Sequence, residues 1–174
     1  LLKVQTKSLL IFLLLSFFVL SCKSTNTIRK TTHSIELKEF KGISEYKKGN
    51  YEKAFHLLKE PAAWGYKGSQ YALAFMFLKG QYVQQSTLLG MGWLGVAIES
   101  GVNDWTEHYN RFYSVASDNE KLKIDKIVAE YIHRYGLKSQ HVTCSKGINS
   151  IKLTSVKCHK YGTLSTLYPV DIVE

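Results

Sequence analysis

Apolar and polar residues alternate in distinct ways along the chain. Leu9 to Leu20 is a continuous apolar run with one polar member, Ser16. At twelve residues it is shorter than the ~20 needed to span hydrocarbon and has the length of a signal-peptide core. Lys23 to Leu37 is polar, rich in Thr and Ser and without a periodic apolar face, the pattern of a flexible tether. Helical periodicity follows. Tyr51, Ala54, Leu58 and Ala62 share one helix face, Trp93 and Ala97 another, and a third helix is expected from Asn103 to Ala116. Ile124, Ile127, Val128, Tyr131, Ile132 and Tyr135 form a longer stripe, opened by the capping-box pattern Ser117-x-x-Glu120 and stopped at Gly136. From His141 onward Val, Thr, Ile and Tyr dominate, and two short strands are predicted across a turn at Lys146-Gly147-Ile148-Asn149. Pro169 confines any later extended segment to a sheet edge.

The helical stretch repeats itself. Lys48-Gly49-Asn50-Tyr51 recurs as Lys79-Gly80-Gln81-Tyr82, with an aromatic three residues before each glycine, Tyr46 and Phe77. The helix after each copy closes at Gly65 or Gly101, and the second copy carries extra residues, placed by this alignment around Ser86 to Gly92. Leu73, Phe77 and Gly80 match the L, Y and last G of A-x-x-x-L-G-x-x-Y-x-x-G, while Ser69 and Ala74 replace its A and first G. These residues resemble the Sel-one-like repeat, a relative of the tetratricopeptide repeat; Gln70, Tyr71 and Met76 are also frequent choices there. The first copy departs upstream, with Gly42 and Ile43 in the L and G slots, and a third has Ala116 where glycine is expected. The resemblance implies a mainly α fold: a short solenoid of antiparallel helix pairs. With it the chain divides into a leader (1–21), a tether (22–37), repeats (38–117), a capping amphipathic helix (118–137) and a β-hairpin extension (138–174).

The leader adds an address. Lys3 and Lys7 flank the apolar run, and Val19-Leu20-Ser21-Cys22 resembles a bacterial lipobox, with Leu20 a less typical residue in its slot. That resemblance implies cleavage before Cys22 and acylation of its thiol and new amino group, an anchor in which each buried methylene contributes ~0.8 kcal/mol. Lys23 stands where, by resemblance to the Gram-negative sorting rule, aspartate would retain the protein in the inner membrane, so the expected location is the outer membrane, facing the periplasm. Lys23, Arg29, Lys30 and Lys38 either rest on anionic head groups or form a solvated tether.

Composition narrows the function. The 174 residues are 45% hydrophobic with only two prolines, which excludes a disordered or collagen-like chain. A net charge of +9, lowered by two when the leader is removed, invites a nucleic-acid reading. Export and the lack of a dense Lys/Arg stripe argue against it and favour acidic envelope polymers, anionic lipid or acidic proteins. With Cys22 lipidated, Cys144 and Cys158 remain and are expected to form one disulfide in an oxidising compartment. The competing reading is a metal site using His141, Cys144, Cys158, His159 and His133; adjacent Cys158 and His159 would struggle to share one zinc, and no C-x-x-C is present.

No nucleophile motif, phosphate loop or metal-ligand spacing appears, so no catalytic residue and no cofactor beyond the lipid on Cys22 is expected. The repeats also lack the cysteines of the disulfide-rich Sel-one-like subgroup once linked to β-lactam hydrolysis. Solenoids of this kind bind through the face lined by the first helix of each pair. By the repeat alignment that face carries Ser44, Lys48, Phe75, Lys79, His108 and Arg111, a basic groove with an aromatic floor suited to a protein partner or an anionic glycan. The alternative is that Phe75 packs against a neighbouring helix and the charges are a solvated face. Trp64, Trp93 and Trp105 are expected in core or joint packing.

Overall fold

A computed structural model describes residues 31–148, 154–162 and 168–171. The leader, Cys22 and most of the tether lie outside the described residues. Among the described residues six helices precede one hairpin: α1 (Thr32–Lys47), α2 (Tyr51–Ala63), α3 (Lys67–Lys79), α4 (Thr87–Ala97, continued by a 3-10 turn Ile98–Ser100), α5 (Asn103–Ser114), α6 (Asp118–Tyr135), β1 (Val142–Ile148) and β2 (Thr154–Lys160). Among the described residues no helix is long and apolar enough to cross a membrane.

The expected tether ends early, because α1 begins at Thr32 rather than after Leu37. Ile35 accounts for this: it is fully buried in a small cluster with Trp64 and Tyr66, which anchors the first turn although its other residues are polar. α1 packs on α2, α2 on α3, and α3 on α4. Gly42 sets the first contact, since a Cβ there would lie 2.6 Å from the Leu58 side chain. The two Lys-Gly copies diverge in structure. Gly49 and Gly80 both adopt a left-handed backbone, but Tyr51 starts α2 directly, whereas Tyr82 sits exposed in a loop at φ +70° and its hydroxyl meets His56 Nε2 at 3.0 Å. The extra residues of the second copy therefore fall before Ser86, which caps α4 by accepting the Leu89 N–H, and not inside that helix.

α4 is the centre of the molecule. Met91, Trp93, Leu94, Val96 and Ala97 are fully buried. Trp93 stacks on Tyr135 (4.7 Å) and meets Tyr131 edge-on (5.0 Å), so α6 lies along α4. The capping box of α6 is formed, with Ser117 accepting the Glu120 N–H and Glu120 accepting the Ser117 N–H. Polar ties that sequence pattern does not show lock the pairs together. Lys67, 3% exposed, donates to Val96 O and Glu99 (both 2.9 Å), and Gln70 donates to Ala62 O and Tyr135 O. Burial lowers the Lys67 pKa despite the opposing pull of Glu99.

β1 and β2 pair antiparallel with Cys144 opposite Cys158, and the disulfide is formed. The metal reading therefore loses both thiols. The predicted turn is corrected: Lys146, Gly147 and Ile148 belong to β1, and the connection lies outside the described residues. The hairpin docks on the α2–α3 turn, where Lys160 Nζ donates to Trp64 O (3.1 Å) and sits over the Trp64 ring. Gly65 takes a left-handed φ of +87° there, and a Cβ would meet Gln140 at 2.7 Å. Beyond the hairpin, Tyr168–Asp171 returns to α6 without forming a strand; Tyr135 donates to Pro169 O and Arg134 pairs with Asp171 (3.0 Å).

Candidate functional site

An aromatic face and a cleft adjoin each other, and Trp105 belongs to both. The first is an aromatic face between α3 and α5. Tyr71, Phe75 and Lys79 are spaced by four on α3, and Trp105, His108 and Phe112 by three and four on α5, so each set lies on one side of its helix. Across the gap Tyr71 stacks on Trp105 (centroids 4.4 Å, planes 15° apart), and its hydroxyl meets His108 Nδ1 at 2.7 Å. Phe75 is edge-on to His108 (5.6 Å) and Phe112 (6.4 Å), and Lys79 Nζ lies 5.4 Å from the Phe75 centroid. Burial, with a smaller effect of Asp104, raises the Tyr71 pKa. All five rings keep some exposure, so they form a joint between helices and a surface at once.

Of the six residues expected on a binding face, Phe75, Lys79 and His108 meet here. Ser44 is half-buried in α1 and Lys48 is exposed beside Glu45 (3.2 Å); among the described residues neither makes a hydrogen bond, ion pair or ring contact with the cluster. Arg111 is exposed on α5 and pairs with Glu107 (3.6 Å). Phe75 packs against the neighbouring helix, so that expectation and the aromatic-floor reading describe the same side chain. Trp64 and Trp93 are fully buried, as expected, while Trp105 is half-buried. Tyr71 and Phe112 were absent from the sequence-derived face; their spacing from Phe75 and His108 along the helices is the signal that marks them.

The second feature is a cleft of about 250 Å³ where the hairpin meets the starts of α3 and α5. Lys160 of β2, Glu39 of α1 and Trp105 border it, with Tyr66 and Ser100. Lys160 Nζ donates to Gln140 O as well as Trp64 O, and its pKa is lowered to about 8 by burial. Glu39 Oε1 accepts both the Ser69 N–H (3.0 Å) and the Ser69 hydroxyl (3.2 Å), capping α3 from another helix. Burial raises the Glu39 pKa against these bonds. Gly68 leaves room for the cap, since a Cβ would lie 3.0 Å from Glu39 Oε1. Neither Lys160 nor Glu39 has an oppositely charged partner within 4.0 Å among the described residues. Sequence reasoning placed neither in a site, because the cleft unites residues some 120 positions apart. Among the described residues no three His, Cys, Asp or Glu side chains are grouped to hold a metal ion. Comparison with family models, curated proteins and solved structures finds no match.

Proposed function

We propose that the protein is a lipid-anchored bacterial envelope protein, a non-enzymatic scaffold of Sel-one-like helical pairs that holds a protein partner on the α3–α5 aromatic face. The anchor rests on the lipobox resemblance at Cys22, and the repeat reading on the matched positions Leu73, Phe77 and Gly80. The observation that carries the binding role is the partly exposed cluster of Tyr71, Phe75, Trp105, His108 and Phe112, because a few aromatic anchors supply most of the energy of protein contacts. An anionic polysaccharide is the weaker reading for this face. Of its basic positions, Lys48 and Arg111 already face Glu45 and Glu107, which leaves Lys79 as the cation over the rings.

Photocrosslinking in intact cells tests the reading, with a photoreactive residue at Arg111 beside the face or at Lys126 on α6. A discrete protein adduct from position 111, lost on Phe112→Ala and absent from position 126, is expected. Equal adducts from both positions, or adducts only with lipid or glycan, would overturn it. High salt should leave the adduct at position 111 largely intact, since ring contacts are not screened as exposed charges are.

A further inference from the structure

We propose that the cleft between the hairpin and the start of α3 is a binding site for a single acidic sugar unit, a uronic-acid-type monosaccharide. This inference does not depend on the scaffold reading. At about 250 Å³ the cleft is smaller than the ~300–1,000 Å³ of drug-sized pockets and fits one ring of sugar or amino-acid size.

Its charges define the rest of the ligand. The Lys160 ammonium has three donors; two go to the carbonyls of Trp64 and Gln140, and the third has no hydrogen-bond partner among the described residues, the Trp64 ring lying 5.3 Å from the nitrogen. A partly desolvated cation without a counter-ion is costly, and a carboxylate placed against it removes that cost while gaining a charge-assisted hydrogen bond. Glu39, also bordering the cleft, asks for the opposite. Oε1 is occupied by Ser69, whereas Oε2 has no hydrogen-bond partner among the described residues. A second anion there would be repelled, and hydroxyl groups would be accepted. The ligand therefore carries one carboxylate and, away from it, neutral hydroxyls.

The walls are mixed. Ile43, Val102, Val142 and Val156 are aliphatic, Trp105 offers an indole, and Ser100 adds a hydroxyl. A pyranose presents apolar C–H groups to an aromatic wall and hydroxyls at its rim.

The test is binding to the full chain, followed by tryptophan fluorescence and saturation-transfer NMR, with glucuronate and galacturonate as probes and glucose, acetate and glutamate as controls. We expect at least one uronate to bind saturably and at least tenfold more tightly than glucose or acetate. Lys160→Gln should weaken it about tenfold or more, Lys160→Arg should restore most of the affinity, and Glu39→Gln should cost less than Lys160→Gln. Thermal melts of the variants separate lost binding from lost folding, and Lys160→Arg keeps the test informative if the glutamine variant melts early. Equal binding of acetate would reduce the site to a simple anion pocket. Tightest binding of glutamate would make it an amino-acid site. Either result, absence of uronate binding, or undiminished uronate binding by a folded Lys160→Gln protein would overturn the proposal.

Discussion

α4 and α5 are consecutive helices of nearly equal length, yet α4 buries eight of its eleven residues and α5 none of its twelve. Composition already separates them: α4 has no charged residue, whereas α5 mixes Trp105, Tyr109, Phe112 and Tyr113 with Asp104, Glu107 and Arg111. Side-chain size sharpens the difference. Gly90 admits Leu78 of α3 on one side of α4, and Gly92 and Gly95 admit Tyr131 and Val128 of α6 on the other; a Cβ at Gly95 would lie 2.5 Å from Val128. Close approach from both sides encloses α4 and draws α6 onto it. α5 packs Tyr109 and Tyr113 against the core edge, bonds α6 through Tyr113 and Asp125, and makes ring contacts to α3, beside an open apolar groove toward the start of α6 where Val115 is 84% exposed. Its Trp105, His108 and Phe112 rings keep part of their surface free.

The contrast can be broken at its centre. Trp93→Ala, which removes a fully buried ring stacked on Tyr135, should lower stability by ~3–5 kcal/mol in urea unfolding, while Phe112→Ala should stay within about 1 kcal/mol. Comparable losses at both positions would mean that α5 is as much core as α4. A smaller effect comes from the glycine seam. Gly95→Ala should cost ~1–3 kcal/mol through overpacking against Val128 and should raise amide exchange in α6 before α3, as read by hydrogen-exchange mass spectrometry.

The smallest expected effect is alkaline. Burial lifts Tyr135, in the α4–α6 contact, and Tyr109, on α5, to about 12 from the usual 10. Unfolded tyrosine gives up its proton near 10 while these folded ones retain theirs, so their contribution is full below pH 10 and is lost as the pH rises from 10 to 12. Urea midpoints at pH 9 and 11 should fall in the wild type and fall less in Tyr135→Phe and in Tyr109→Phe. A benefit confined to Tyr135→Phe would show that α5 is wetter than its half-buried rings suggest.

Local rules were legible in the sequence to different depths. The Ser117 capping box and the stripe ending at Tyr135 predicted α6 correctly, because both signals lie within a few residues of the atoms they govern. The Cys144–Cys158 bridge followed from cysteine count and compartment. The sequence predicted a third helix over Asn103–Ala116 but not what would cover it, since that depends on the neighbours of α4. Gly147 and Lys146 read as a turn although they continue β1, the pairing with β2 overriding local preference. The polar first turn of α1 hid its helix because a single residue, Ile35, finds its partners at Trp64 and Tyr66. The cleft was least legible: Glu39 and Lys160 belong to distant segments with no motif linking them, and only the docked hairpin makes them neighbours.

The clasp on Trp64 has a consequence for synthesis. Its ring packs with Ile35 from the start of the domain, but Lys160, which binds its carbonyl and covers its ring, lies 96 residues further on. At ~5–20 residues per second that strand leaves the ribosome about 5–20 s after the turn it closes. During that interval α1 to α3 are already made while one side of the Trp64 turn stands open. The order of the segments thus keeps the fold incomplete until β2 has been made.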